Sequence, residues 1–303
     1  MSLLSFTLVE LAPGDYFEDL RLNPAIAQDT ITSLRGQYGL EQPMMVRYAR
    51  WIRSWGDGSW GFSVSHNRAA GPLLRERAAN TIVLAATALI LTWLIAVPAA
   101  IWAVAGGRWR TRLLTGAASI LMSIPDLLIV LALTVAAANT RWLPTGGMSS
   151  SGSEQLGRLG MLADAGLHLV IPVTALVLSM LPVVSLHAIT ALEGVLQEPF
   201  ILSARVNGIG RMRILVRHAL PVAANPLITL AGVSVGTLLS SAVIAEGVSG
   251  WPGLGHLLLQ SIQERDMHVI LGATLLSSML LLTATFISDI VLRIVDPRIG
   301  GAR

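Results

Sequence analysis

The sequence predicts an all-α, polytopic membrane fold, and three observations carry that expectation. Only 13% of the 303 residues are charged, against roughly 25% in soluble domains. Apolar residues make up 53% of the chain, and the mean hydropathy is +0.66. The apolar residues also gather in five stretches, each long enough to cross a hydrocarbon core with about 20 residues at 1.5 Å each.

Met1–Ala12 (MSLLSFTLVELA) reads as the second half of a span that stops at Pro13-Gly14-Asp15, too short to cross alone. Two expectations follow: a late-placed start with most of a first span upstream, which we prefer, or a chain that begins with a half-span. Residues 13–78 then form an extracytoplasmic segment of mixed charge. Its Trp51, Trp55, Trp60 and Phe62 suit either the headgroup boundary or a packed aromatic core.

The spans are expected at about 79–105, 113–138, 166–191, 219–244 and 269–292. Ala79–Gly107 holds no Asp, Glu or Arg, and Leu113–Asn139 holds only Asp126. Ala165–Leu192 has only His168 and His187, about five turns apart and too distant to share a metal. Val269–Leu292 is free of charge until Asp289, which is placed to pair with Arg293 at i, i+4. Asp126 follows Pro125 inside a span, where a charge is expensive. It either lines a pathway, facing a solute ammonium group, or lies near a membrane face.

Arginine counts set the orientation. Gly106–Arg112 holds three arginines, Glu193–Arg217 four and the tail after Leu292 three. The alternate loops are poorer: Thr140–Asp164 has two against two acids, and Glu246–His268 has one against three. The basic loops and the C-terminus are therefore expected on the cytoplasmic side of the cell (inner) membrane. Gly146–Ser153 reads as an outer loop tip in which Ser149–Ser151 carry no special meaning.

Several function classes drop out. There is no Cys, so no disulfide, thiolate catalysis or Cys-based metal site. All 21 basic residues are Arg, and a phosphate-cradling loop ending in Gly-Lys-Ser/Thr cannot exist without Lys. A net charge of +3 is too small and dispersed for a nucleic-acid partner. Neither His-Glu-x-x-His nor a paired intramembrane aspartate motif supports a membrane-embedded protease. An ion-coupled secondary transporter would show repeats with interrupted helices, and no repeat is evident.

The stretch Glu198–Pro221 (EPFILSARVNGIGRMRILVRHALP) stands out as a compact basic segment between greasy runs, inside a loop of about 193–217. Glu198-Pro199 is a helix start, with an acid near the positive end and Pro where no N–H is missed. Asn207-Gly208 is a stop that tolerates the left-handed cap. A second short helix is expected over Arg211–Ala219. Small Ser203, Ala204 and Gly208 would admit a partner groove, and Arg205, Arg211, Arg213 and Arg217 offer cationic heads. The alternative is an ordinary positive-inside loop with an interfacial helix.

Ser203-Ala204-Arg205, Gly208 and Ala219-Leu220-Pro221 resemble the EAA loop of permease subunits of binding-protein-dependent ABC importers. Asn207 stands where Lys is frequent. Leu11-Ala12-Pro13-Gly14-Asp15, Leu34–Pro43 and Tyr48–Trp51 resemble the B-type subunit of the dipeptide, oligopeptide and nickel branch. So do Glu246 with Trp251-Pro252-Gly253-Leu254-Gly255, Asp289, and Asp296-Pro297-Arg298-Ile299.

The resemblance implies a type I (MetI-like) importer fold and a permease that is no enzyme itself. Residues 79–303 would form the transmembrane domain. It implies ATPase-coupling contacts at Glu198, Phe200, Ser203, Ala204, Arg205, Gly208, Arg211 and Arg213. Glu246, Trp251, Gly253 and Gly255 would touch a binding protein or, alternatively, form a structural turn. Implied partners are a second homologous permease, two cytoplasmic ATP-binding subunits, an extracytoplasmic solute-binding protein and membrane lipid. This chain would bind no cofactor or metal, ATP being used by the partner subunits. The solute expected first is a small peptide, and second nickel or a nickel chelate.

Overall fold

The computed structural model describes residues 2–11, 17, 28–37, 39, 41–155 and 157–295. The expected motifs at Pro13-Gly14-Asp15 and Asp296-Pro297-Arg298-Ile299 lie outside them, as do Tyr38 and Leu40 of the stretch 34–43. The described helices are α1 (Ser2–Leu11), α2 (Gln28–Gln37), α3 (Met44–Gly56), α4 (Ala70–Gly106), α5 (Arg108–Met122) and α6 (Asp126–Thr140). They continue with α7 (Arg158–Val195), α8 (Pro199–Val206), α9 (Arg211–Ser249), α10 (Leu254–Gln263) and α11 (Met267–Val295). A two-stranded hairpin, β1 (Phe62–Ser63) with β2 (Arg68–Ala69), joins α3 to α4 in the register Phe62↔Ala69.

Helices α4, α7, α9 and α11 are long and apolar enough to cross a membrane. At 37 and 38 residues, α4 and α7 are about 55 Å long, well beyond a hydrocarbon core of about 30 Å. The stretch expected as one span at 113–138 is instead two helices, α5 and α6, bent by 89°. Pro125 explains the break: it lacks an N–H, and its ring clashes with the carbonyl of the residue four positions earlier.

The chain divides into two compact units. The first comprises Met1–Thr81 and Pro252–Met279. Its core is Phe6, Trp51 and Leu271, flanked by Tyr48, Trp55 and Met267. Phe6 meets Tyr48 edge-on with centroids 5.3 Å apart, Trp55 stacks on Trp60 at 4.6 Å, and the Arg75 guanidinium lies over Trp60. Of the two readings open for these aromatics, the packed core is the one realised. Arg47 pairs with Glu10 across α1 and α3. The buried Asp266 carboxylate holds the hairpin turn, accepting from Ser63 Oγ at 2.6 Å and from Ser65 N and Oγ at 3.2 and 2.8 Å.

The second unit comprises Ile82–Trp251 and Leu280–Arg303. One buried cluster joins Leu84, Val130, Leu176, Val184, Leu238 and Trp251. Another joins the C-terminal ends of α4 and α7 to the basic segment, through Val104, Leu192, Ile201, Ile214 and Leu215. Helices α9 and α11 approach closely where Gly232 and Gly236 face Ser288 and Leu281. A Cβ on Gly232 would lie 2.5 Å from that of Ser288. Ser288 Oγ donates to Ile228 O at 2.7 Å, across the same interface. This is the small-xxx-small packing of lipid-embedded helices. Among the described residues Asp289 makes no ion pair with Arg293: both are exposed, where such a pair gains little.

Candidate functional site

The basic segment begins at Glu198, the extended N-cap of α8 (φ −68°, ψ 144°), with Pro199 in the first helical turn. Helix α8 ends in a Schellman arrangement. Gly208 has φ +76°, its N–H donates to Arg205 O at 3.0 Å, and the Ile209 N–H donates to Ala204 O at 3.2 Å. Asn207 stays in right-handed space and donates its side-chain Nδ2 to Ser203 O at 2.9 Å.

The helix expected at Arg211–Ala219 is not separate, for it runs unbroken into the following span as α9. Residues Leu215–Ala219 form a π-turn, closed by the Leu220 N–H on Leu215 O. Pro221 accounts for it: with no N–H at 221 the α-pattern cannot close on Arg217 O, and a wider turn relieves the ring clash.

The segment has two faces. Ile201 is fully buried in the cluster of Val104, Leu192, Ile214 and Leu215, and Ala204 and Ile209 pack against it. Ala204 is half-buried, with its methyl packed against this cluster. Ser203, Arg205 and Gly208 are exposed. Gly208 has open space around its missing Cβ, so its role is the backbone turn, not close approach. Val206 is 82% exposed and Phe200 44%, and Met212 and Val216 are exposed as well.

Among the cations, Arg211 Nη2 donates to Val104 O at 2.6 Å, and Arg205 Nη2 to Leu196 O at 3.4 Å. Arg213 and Arg217 are exposed and make no hydrogen bond or ion pair with the described residues. The segment therefore presents both exposed apolar side chains and exposed guanidinium groups. No group of three His, Asp or Glu near enough to hold a metal occurs among the described residues.

At the second expected surface the named residues are buried within the chain. Glu246 is fully buried, Trp251 is 1% exposed within its unit's core, and Gly253 and Gly255 are buried. Gly253 caps α10 in extended conformation, the Leu254 N–H donates to Thr81 Oγ1 at 2.8 Å, and Asn80 Nδ2 donates to Pro252 O at 2.8 Å. These bonds make the stretch a well-held turn, with the Glu246 and Trp251 side chains packed inside the protein.

Asp126 sits at the first position of α6, where a carboxylate complements the helix dipole, and accepts from Ser241 Oγ on α9 at 2.6 Å. The two expected histidines are apart in role. His187 Nδ1 meets Val183 O at 2.8 Å, whereas His168 is buried. Ser150, read as unremarkable, ties its loop to α7. Its N–H and Oγ reach the Asp164 carboxylate at 2.7 and 2.6 Å, and Oγ lies 3.2 Å from His168 Nε2. The Asp-x-x-x-His spacing at 164 and 168 was the available signal. On α10, burial foremost, then the nearby Arg77 cation, holds the His256 imidazole below its ordinary value.

Comparison with known proteins places this geometry. The family described as "Binding-protein-dependent transport system inner membrane component" matches residues 94–301. The oligopeptide transport system permease protein AppB of Bacillus subtilis is 30% identical over 99% of this chain and 94% of its own. The glutathione transport system permease protein GsiC of Salmonella paratyphi A is 29% identical, over 99% and 93%. The dipeptide transport system permease protein DppB of Escherichia coli is 28% identical, over 99% and 94%. In fold, a chain of the inward-facing MetNI methionine ABC transporter superposes with a TM-score of 0.60 at 18% identity, covering 74% of this chain and 96% of that one. With a helical bundle of the MetI-like kind and a match that spans most of the chain, this protein belongs to the binding-protein-dependent transport system inner membrane components, the permease subunits of ABC importers.

Proposed function

We propose that this permease carries small peptides inward and that α8 is its coupling helix, seated on a cytoplasmic ATP-binding subunit. The observation that carries the docking reading is the two-faced build of the segment. Ile201 anchors it in a core shared with the ends of α4, α7 and α9, while Phe200, Val206, Arg213 and Arg217 are exposed. A helix so anchored moves as a piece with the spans, which a loose loop would not do. ATP binding would draw two ATP-binding subunits together, carry the coupling helices with them and switch the spans between outward and inward access.

The full assembly in this reading has a second permease of the same family, two ATP-binding subunits and an extracytoplasmic solute-binding protein. ATP is bound and hydrolysed on the partners. The arginine-rich loops and the C-terminus lie in the cytoplasm. Peptides are favoured over nickel because the relatives compared are named for oligopeptide, glutathione and dipeptide transport. Asp126, half-buried at a break between half-helices, is the candidate for meeting a peptide ammonium group.

The test is co-purification of the ATP-binding subunit with Val206→Asp and Phe200→Asp. Each is expected to weaken docking by about 2 kcal/mol or more, roughly 30-fold, with membrane insertion unchanged. Wild-type co-purification of both variants would remove the coupling role from this helix. Ala204→Glu is a poorer probe, since it drives a charge into the local core.

A further inference from the structure

Arg211 opens the second arm of the basic segment, and its side chain, though exposed, reaches back to the end of α4. Its Nη2 donates at 2.6 Å to the carbonyl of Val104, 107 residues earlier in the chain. Val104 lies in the last turn of α4, where carbonyls lack helical donors. Helix α4 stops at Gly106, and Gly107 turns away with φ +85°, so its N–H reaches Val104 O only at 3.4 Å. A cation there adds a second, shorter bond to that carbonyl and complements the negative helix end. Val104 itself is buried with Ile214 and Leu215, so apolar contacts flank the bond. One guanidinium thus joins the last turn of one span to the first turn of another. The next turn of α9 is the π-turn Leu215–Ala219, a wider and weaker stretch of helix.

We propose that Arg211 is a positioning residue that locks the α4–α5 elbow to the coupling segment, so that displacement of α8 reaches α4 instead of being absorbed in the π-turn. The proposal rests on the coupling reading of α8, and its test separates the two. The assembled transporter, co-expressed with its partner subunits and reconstituted in vesicles, is compared as wild type, Arg211→Met and Arg211→Lys. Co-purified ATP-binding subunit reports docking, and labelled dialanine accumulated per ATP hydrolysed reports coupling.

Arg211→Met is expected to assemble like wild type while transport per ATP falls about fivefold or more. Arg211→Lys, which keeps a cationic donor for the carbonyl, is expected to recover at least half of the loss. Wild-type transport per ATP in Arg211→Met would overturn the proposal, as would a loss that Arg211→Lys shares in full. Failure of Arg211→Met to co-purify the ATP-binding subunit would also overturn it, in favour of a direct partner contact. Failure of the coupling reading shows separately, as unaltered co-purification in both Val206→Asp and Phe200→Asp.

Discussion

Gly208 holds φ at +76° with nothing near its absent Cβ, so a substitution there meets backbone strain alone. Gly208→Ala is expected to cost about 1 kcal/mol, read as a lower thermal midpoint of the purified chain. Co-purification of the ATP-binding subunit should stay unchanged, because no side chain is lost from the outer ridge. His256 carries a pH dependence with a definite sign. Burial depresses its folded-state pKa below the ordinary 6.5, so the unfolded chain binds the proton first. Stability is therefore full above that ordinary value and falls as pH drops from there toward the depressed one. The thermal midpoint should decline on acidification from pH about 7 to about 5.5, and His256→Asn should flatten the slope. A wild-type midpoint independent of pH over that window would show that the imidazole is not held in its neutral form.

At the scale of the element, prolines decide where apolar runs stop being straight helices. Pro125 breaks the second expected span into α5 and α6, and Pro221 forces the π-turn of α9. Pro221→Ala restores an N–H for Arg217 O and permits a regular α-turn. It is expected to raise the thermal midpoint while lowering transport, as is common when a strained functional element is relaxed. Equal transport in wild type and Pro221→Ala would strip the π-turn of any mechanical part. The limits of α8 were legible from Glu198-Pro199 and Asn207-Gly208, because caps act within a few residues. The merging of residues 211–219 with the next span was not. Nor was the packing of Ala204 on the local core or the reach of Arg211 to Val104, since a helix's rotation about its axis is set by what it packs on. The Gly232-x-x-x-Gly236 spacing, which seats α9 against α11, is a local signal present in the sequence itself.

For the whole molecule, orientation is open to direct measurement because the chain has no Cys. Ser203→Cys and Ser149→Cys each place one thiol at an exposed position. With an impermeant maleimide on intact cells, Ser149→Cys is expected to label and Ser203→Cys to label only after lysis. The reverse pattern would invert the topology and detach α8 from any cytoplasmic partner. By itself the sequence determined the solvent, the helical class, the apolar stretches and the basic segment with its caps. These depend on composition and on signals a few residues apart, since lipid demands that backbone groups be satisfied within each helix. Only the tertiary structure decided which face of each element is covered. It buried Glu246 and Trp251, tied Ser150 to Asp164, and turned Arg211 onto Val104. The Arg211–Val104 bond alone joins residues 107 positions apart, and nothing local to either partner encodes the other.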